Sequence, residues 1–151
     1  MNPVDKTILL VEDNPDDAKL TLRGFERNNL LNPIVVVQDG IEALDFLFAR
    51  GSFSDRAEKP LPTLVILDLK LPRLDGLEVL KAMRAERRTR LIPVVILTSS
   101  KEEQDVIASY SLGANSYVRK PVDFAEFMEA VKVLGIYWLA INQPLPERAT
   151  Q

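Results

Sequence analysis

The sequence predicts an α/β domain of five strand–helix units, (βα)5, with a parallel sheet doubly wound by helices. Three observations predict it. Short aliphatic runs recur along the chain, TILLV, IVVV, TLVIL, VVILT and SYV, without the polar alternation of a sheet that has one wet face, so they read as strands buried on both sides. The segments between them carry helix-start residues, and right-handed crossovers of that kind place helices on both faces of a parallel sheet. Four of the runs also end in a polar residue, at Glu12 and Asp13, Asp68, Thr98 and Lys120. In an open parallel sheet the ligand crevice lies at those carboxyl ends.

Each element has a local reason. After TILLVED, Asn14 and Pro15 form an N-cap and first helical position, with Asp16 and Asp17 favourably placed in the first turn, and helix one is expected to run to about Asn29. Pro33 precedes the second strand, IVVVQ, and Asp39 caps the apolar second helix, IEALDFLFA. Arg50 to Pro62, rich in charge, Gly, Ser and Pro, reads as a long irregular connection. TLVILDL is the third strand, LDG at Asp75 is a turn signal, and LEVLKAMRAE is the third helix. VVILT is strand four, Ser100 with Glu103 suggests a capping box for helix four, NSYVRK is strand five, and Asp123 with Glu126 starts the last helix, FAEFMEAVKVLGIYWLA.

Composition excludes several chemistries. A chain of 151 residues, 46% hydrophobic and 27% charged, suits one compact domain with a core of its own. It has no cysteine and no histidine, so thiol nucleophiles, disulfides, Cys/His zinc sites and imidazole triads are excluded. Any phosphoryl transfer from a histidine must draw that histidine from another protein. A net charge of −3 and a pI near 5.1 supply no chain-wide basic footprint, which leaves room only for a local basic patch; with no DNA-binding domain expected after the last helix, no direct DNA binding is expected. No run approaches the roughly 20 apolar residues of a membrane span, and MNPVDK leads into the first strand without an apolar signal region, so no membrane association and a cytoplasmic location are expected.

The strand ends suit phosphate chemistry. Glu12, Asp13 and Asp68 are hard oxygen ligands appropriate to magnesium, which removes the repulsion of clustered carboxylates and neutralises an incoming phosphoryl group. Asp68 is ionised at neutral pH and can attack phosphorus without a base. Lys120 can stabilise charge on the transferred oxygens, and the Thr98 hydroxyl can donate to one of them.

With these residues in view, VEDN, ILDLKLPRLDG, ILTSS and KP resemble, in kind and order, the receiver domains of two-component response regulators. The resemblance covers residues 6–134; the reading is a receiver domain over 1–134, with 135–151 as the end of the last helix and a C-terminal extension without a separate effector domain. It implies a flavodoxin-like strand order of 2-1-3-4-5. It also implies that Asp68 is the phosphoacceptor, that Asp13 and Asp68 bind magnesium directly with Glu12 acting through water, and that the Lys70 carbonyl completes the protein ligands. Thr98 and Tyr117 fill the switch positions, and the peptide bond before Pro121 is expected to be cis, aiming Lys120 into the site. The implied phosphoryl donor is a partner sensor histidine kinase. The resemblance further implies that phosphotransfer and dephosphorylation are self-catalysed, which would make the protein a phosphoacceptor switch rather than a turnover enzyme. Lys70 and Ser100, each two residues beyond a site residue, flank the path of an attacking water and are expected to tune its rate.

The connection at Arg50 to Pro62 and the C-terminal GIYWLAINQPLP are similar to small stand-alone regulators associated with bacterial phytochromes, which makes a bacteriophytochrome the expected kinase. Phe124, Phe127, Met128, Val131, Leu134 and Trp138 form a stripe facing the sheet. Ile136, Tyr137, Leu139 and Ile141 add more apolar surface than one face buries, so a C2 homodimer through helix four, strand five and helix five is expected. Asp16 and Asp17 read as dipole-favourable surface charges. The competing function is a degenerate receiver that acts as a phosphorylation-independent interaction module. An FMN carrier is disfavoured by the acidic loop VEDNPDD, and a haloacid-dehalogenase-type phosphatase by Lys70 at the position of its second acid.

Overall fold

The computed structural model describes residues 6–146; the start of the chain, 1–5, and the end of the C-terminal extension, 147–151, lie outside the described residues. Five parallel strands, β1 (Ile8–Val11), β2 (Ile34–Val37), β3 (Leu64–Leu67), β4 (Val94–Thr98) and β5 (Ser116–Arg119), form one sheet in the order 2-1-3-4-5. The order follows the hydrophobicity of the runs. β1, β3 and β4 are buried throughout and take the central positions, whereas β2 and β5, with exposed or half-buried residues, are the edges. β1 pairs with both neighbours in one register, Ile8 opposite Ile34 and Leu64, so the ends of β1 and β3 are level.

Because side chains alternate along a strand, the sheet sorts its residues into two cores. Leu9, Val11, Val65, Leu67, Val94 and Ile96 meet Ala43, Leu44 and Leu47 of α2 (Gly40–Phe48) and Val79, Leu80 and Met83 of α3 (Gly76–Ala85). Ile8, Leu10, Leu64, Ile66, Val95 and Leu97 meet Phe25 of α1 (Pro15–Arg27) and Phe127, Val131 and Leu134 of α5 (Phe124–Ile136). At about 1.5–3 kcal/mol for each fully buried large aliphatic or aromatic side chain, the two layers supply the main driving force for folding. Gly24 permits the close approach of α1 to α5, since a Cβ there would lie 2.6 Å from Val131 Cγ1. The fourth helix, α4 (Glu103–Ser111), packs on α3 and β5 but buries only Ser109, leaving Ile107 and Tyr110 exposed.

Helix starts follow the capping residues read from the sequence. Asn14 accepts from the N–H groups of Asp16 and Asp17, Asp39 from Glu42, Asp75 from Glu78 and Asp123 from Glu126. α4 is the exception: its N-cap is Glu102, without a side-chain bond, so Ser100, two residues ahead of it, forms no capping box with Glu103; the Ser100 hydroxyl instead donates to Asp105 at 2.5 Å and accepts from the Glu102 N–H at 3.4 Å.

Other boundaries also differ from expectation. α1 stops at Arg27 and Asn29 takes a left-handed conformation, φ 59°, which turns the chain toward β2. The long connection contains a 3-10 segment at Gly51–Arg56, held where Phe53 packs edge-on to Phe46 and the Arg56 guanidinium lies 3.6 Å over the Phe46 ring. The last helix changes to a π turn at Tyr137–Ile141. Phe124 does not join the stripe on the sheet; at the first turn of α5 it is 52% exposed. No peptide bond among the described residues is cis, so Lys120–Pro121 is trans, and Lys120 reaches the site without the isomer that the resemblance implied.

Candidate functional site

The carboxyl ends of β1, β3, β4 and β5 bring the sequence-selected residues to one place. Ladder hydrogen bonds set them there: the Asp68 N–H donates to the Val11 carbonyl at 3.1 Å, and the Lys120 N–H donates to that of Thr98 at 2.8 Å. Glu12 and Asp68 thus follow directly on the last residues of β1 and β3, Thr98 is the last residue of β4, and Lys120 follows β5.

Asp68 is held at both oxygens. Its Oδ1 accepts from the Thr98 hydroxyl at 2.8 Å and from the Lys70 N–H at 3.2 Å, while its Oδ2 accepts from Lys120 Nζ at 2.7 Å. The same ammonium donates to Glu12 Oε1 at 2.7 Å and Asp17 Oδ2 at 2.9 Å. With a side chain only 7% exposed, Lys120 satisfies its charge through these three carboxylates. Glu12 Oε2 accepts further from the Asn14 N–H.

The electrostatics separate the two buried acids. Burial pushes Glu12 up to about 7, against the opposing bond and charge of Lys120. Burial acts upward on Asp68 as well, but the Lys120 ammonium, the Thr98 hydroxyl and the Lys70 N–H together hold it below the ordinary carboxylate range. Burial would lower Lys120, yet its bonds to Asp68, Glu12 and Asp17 raise it. Asp68 is therefore the more readily ionised of the two buried acids.

Glu12, Asp13 and Asp68 each offer a carboxylate oxygen within 4.8 Å of the others, with Asp13 exposed at the mouth. An all-oxygen donor set open to solvent on one side fits a hard divalent cation that retains waters. The fit rests on these side chains alone.

Tyr117 makes no hydrogen bond to Asp68. Its hydroxyl donates to the Ser100 carbonyl at 2.9 Å, which ties β5 to the loop after β4. The Lys70 ammonium pairs with Asp105, 3.5 Å distant, and not with Asp68. Two residues outside the sequence-selected set belong to the site's surroundings. Asp17, read as a surface charge, is a partner of Lys120; its position one turn into α1 was the available signal, but only the fold shows which cation it faces. Asp105, in the first turn of α4, gathers Ser100 and Lys70. A groove of about 380 Å³ opens at the opposite end of the sheet beside Pro93, Trp138 and Leu139, and none of the site's acids lines it.

Comparison with known proteins agrees with this geometry. The response regulator receiver domain family matches residues 8–132. The chain belongs to that family. Among curated relatives, this receiver domain is 41% identical over 136 residues to the probable methanogenesis regulatory protein FilR2 of Methanothrix harundinacea, covering 90% of this chain and 85% of that protein. It is 37% identical to the response regulator Rcp1 of Synechocystis sp., covering 89% of each chain. The crystal structure of the Mn(2+)-bound form of Rcp1 superposes with a TM-score of 0.87 at 35% identity, covering 93% of this chain and 99% of that one. The bacteriophytochrome response regulator RtBRR is 50% identical, with a TM-score of 0.74 over 96% of this receiver and 88% of its own chain. The flavodoxin-like architecture is shared with these neighbours. No helix among the described residues is long and apolar enough to cross a membrane.

Proposed function

We propose that this receiver domain accepts a phosphoryl group on Asp68 from the phosphohistidine of a partner sensor histidine kinase and thereby switches its contacts with other proteins. The observation that carries the reading is the state of Asp68. It is a buried carboxylate kept ionised at a strand end, with a hydroxyl, an N–H and an ammonium already aimed at its oxygens. Those donors are the groups needed to steady the oxygens of an arriving phosphoryl group.

Magnesium is the proposed cofactor, held by Asp13, Asp68 and the Lys70 carbonyl, with Glu12 acting through water; when bound it supplies charge neutralisation for phosphoryl oxygens. The acid cluster supports this, and the Mn(2+)-bound Rcp1 neighbour accords with it. In the transfer step an Asp68 oxygen bonds to phosphorus as the bond to the donor imidazole nitrogen breaks, and that bonding pair returns to the imidazole. The chain catalyses this step and the later hydrolysis on itself, so it acts as a switch rather than a turnover enzyme. Thr98 is the residue that follows the phosphoryl group, and Tyr117 relays the change through Ser100 to the α4–β5 face.

The likeness to the bacteriophytochrome regulator RtBRR supports a bacteriophytochrome as the kinase, and a cytoplasmic location goes with that role. A homodimer through α4, β5 and α5 is supported by the exposed Ile107, Tyr110, Phe124, Val133 and Tyr137 on that side. Sedimentation tests it: a monomer at micromolar concentration, phosphorylated or not, overturns the dimer.

Intact-mass spectrometry after incubation with acetyl phosphate tests the function itself. A magnesium-dependent gain of one phosphoryl group that Asp68→Asn abolishes is the expected result. No gain from acetyl phosphate or from a phosphorylated kinase would overturn it in favour of a phosphorylation-independent module.

A further inference from the structure

The loop after β4 and the first turn of α4 are joined at a single carboxylate. Asp105 Oδ2 accepts the Ser100 hydroxyl at 2.5 Å and lies 3.5 Å from Lys70 Nζ. The two members of the ion pair differ in exposure. The Asp105 side chain is 14% exposed and anchored on a helix, whereas the Lys70 side chain is 67% exposed. Both partners also stand beside the acceptor. The Lys70 N–H is bonded to Asp68 Oδ1, and the Ser100 N–H lies 3.4 Å from the Thr98 hydroxyl that bonds the same oxygen. A long lysine side chain whose backbone touches Asp68 can swing from Asp105 to a group on Asp68.

We propose that Asp105 is a positioning residue that competes with a phosphoryl group on Asp68 for Lys70 and Ser100, and so couples the first turn of α4 to the lifetime of the aspartyl phosphate. This rests on the phosphoacceptor reading above. A phosphoryl group brings roughly −1.5 to −2 charges at neutral pH, a stronger attraction for an ammonium and a hydroxyl than the single charge of Asp105. In hydrolysis a water oxygen bonds to phosphorus while the bond from phosphorus to the Asp68 oxygen breaks; the bonding pair returns to the Asp68 carboxylate and the water's proton leaves with phosphate or solvent. With Asp105 holding Lys70 and Ser100 aside, the phosphoryl face stays open to that water. When they transfer to the phosphoryl group they cover it, and α4 loses two of its ties. Few others hold it, since Ser109 is its one buried residue. Tyr117, bonded to the Ser100 carbonyl, moves with the same loop.

Dephosphorylation of acetyl-phosphate-loaded protein, followed by intact mass, tests the competition in the wild type, Asp105→Asn, Asp105→Glu, Lys70→Met and the Asp105→Asn/Lys70→Met pair. Removing the charge of Asp105 is expected to lengthen the lifetime about two- to fivefold, the range set by a partly exposed ion pair. Asp105→Glu is expected to restore a lifetime near that of the wild type. In the Lys70→Met background the Asp105→Asn effect is expected to shrink to the share carried by Ser100, whereas a merely structural role would give the same fold-change in both backgrounds. An unchanged lifetime in Asp105→Asn, an equal fold-change in the two backgrounds, or an Asp105→Glu lifetime as long as that of Asp105→Asn each overturns the proposal while leaving the phosphoacceptor reading intact. A wild type that takes up no phosphoryl group overturns both.

Discussion

Lys120 Nζ donates to Asp17 Oδ2 at 2.9 Å, across 103 positions of the chain. The bond adds a third carboxylate to an ammonium that already holds Asp68 and Glu12, and it fastens β5 to α1 at the mouth of the site. An ammonium with three donors is thereby saturated, which is why it can lie buried and still be charged.

Removing the cation therefore exposes the acids to one another. Lys120→Met is expected to cost about 3–5 kcal/mol, the penalty for breaking a buried pair from one side, because Glu12 and Asp68 lose their common partner. Magnesium should return part of that loss, since it supplies the missing positive charge. Asp17→Asn, which removes one partly exposed acid, should cost only about 0.5–1 kcal/mol. Urea titrations with and without magnesium check both.

The acid group also predicts a pH dependence. Glu12 is raised from 4.5 to about 7 in the folded protein, mainly by burial. Between those values the folded state binds a proton that the unfolded state does not. The contribution is complete below the unfolded value and is lost as pH rises through about 7, so stability declines across this window and levels off above it. Asp68 acts in the opposite sense: held below 3.8, it contributes above that value and its contribution disappears as pH falls through the lowered one. Glu12→Gln should flatten the decline between pH 4.5 and 7, a difference visible in thermal unfolding across a pH series.

Gly76 sets how closely α3 begins to Asp68. A Cβ there would collide with the backbone oxygen of Asp68 and lie 2.7 Å from Leu69 Cα. Backbone cannot yield as a side chain can, so Gly76→Ala is expected to cost about 1–3 kcal/mol and to reduce phosphoryl uptake by displacing Asp68. Chemical denaturation and intact-mass uptake report the two effects separately.

Thr98→Val keeps the shape of a fully buried side chain but removes the donor to Asp68 Oδ1. Loss of a hydrogen bond to a charged group predicts about 1.5–3 kcal/mol of destabilisation, with slower phosphoryl uptake. Thr98→Ser should recover most of the uptake rate.

What the sequence by itself determined is local in origin. Unalternated aliphatic runs make doubly buried strands, Asn14, Asp39, Asp75 and Asp123 start helices, and the first polar residue after a buried strand must emerge where the crevice lies. Those rules were enough to place Glu12, Asp13, Asp68, Thr98 and Lys120 at one end of one sheet. Only the tertiary structure decided the partners. Asp17 and Asp105 look like any acid in a first helical turn until folding sets Lys120 and Lys70 before them, and Ser100 looks like a cap until Asp105 takes its hydroxyl. Capping and strand burial depend on neighbours within a few residues. The choice of ion-pair partner depends on long-range packing, because charges interact through space and several candidates satisfy the same local rule equally well.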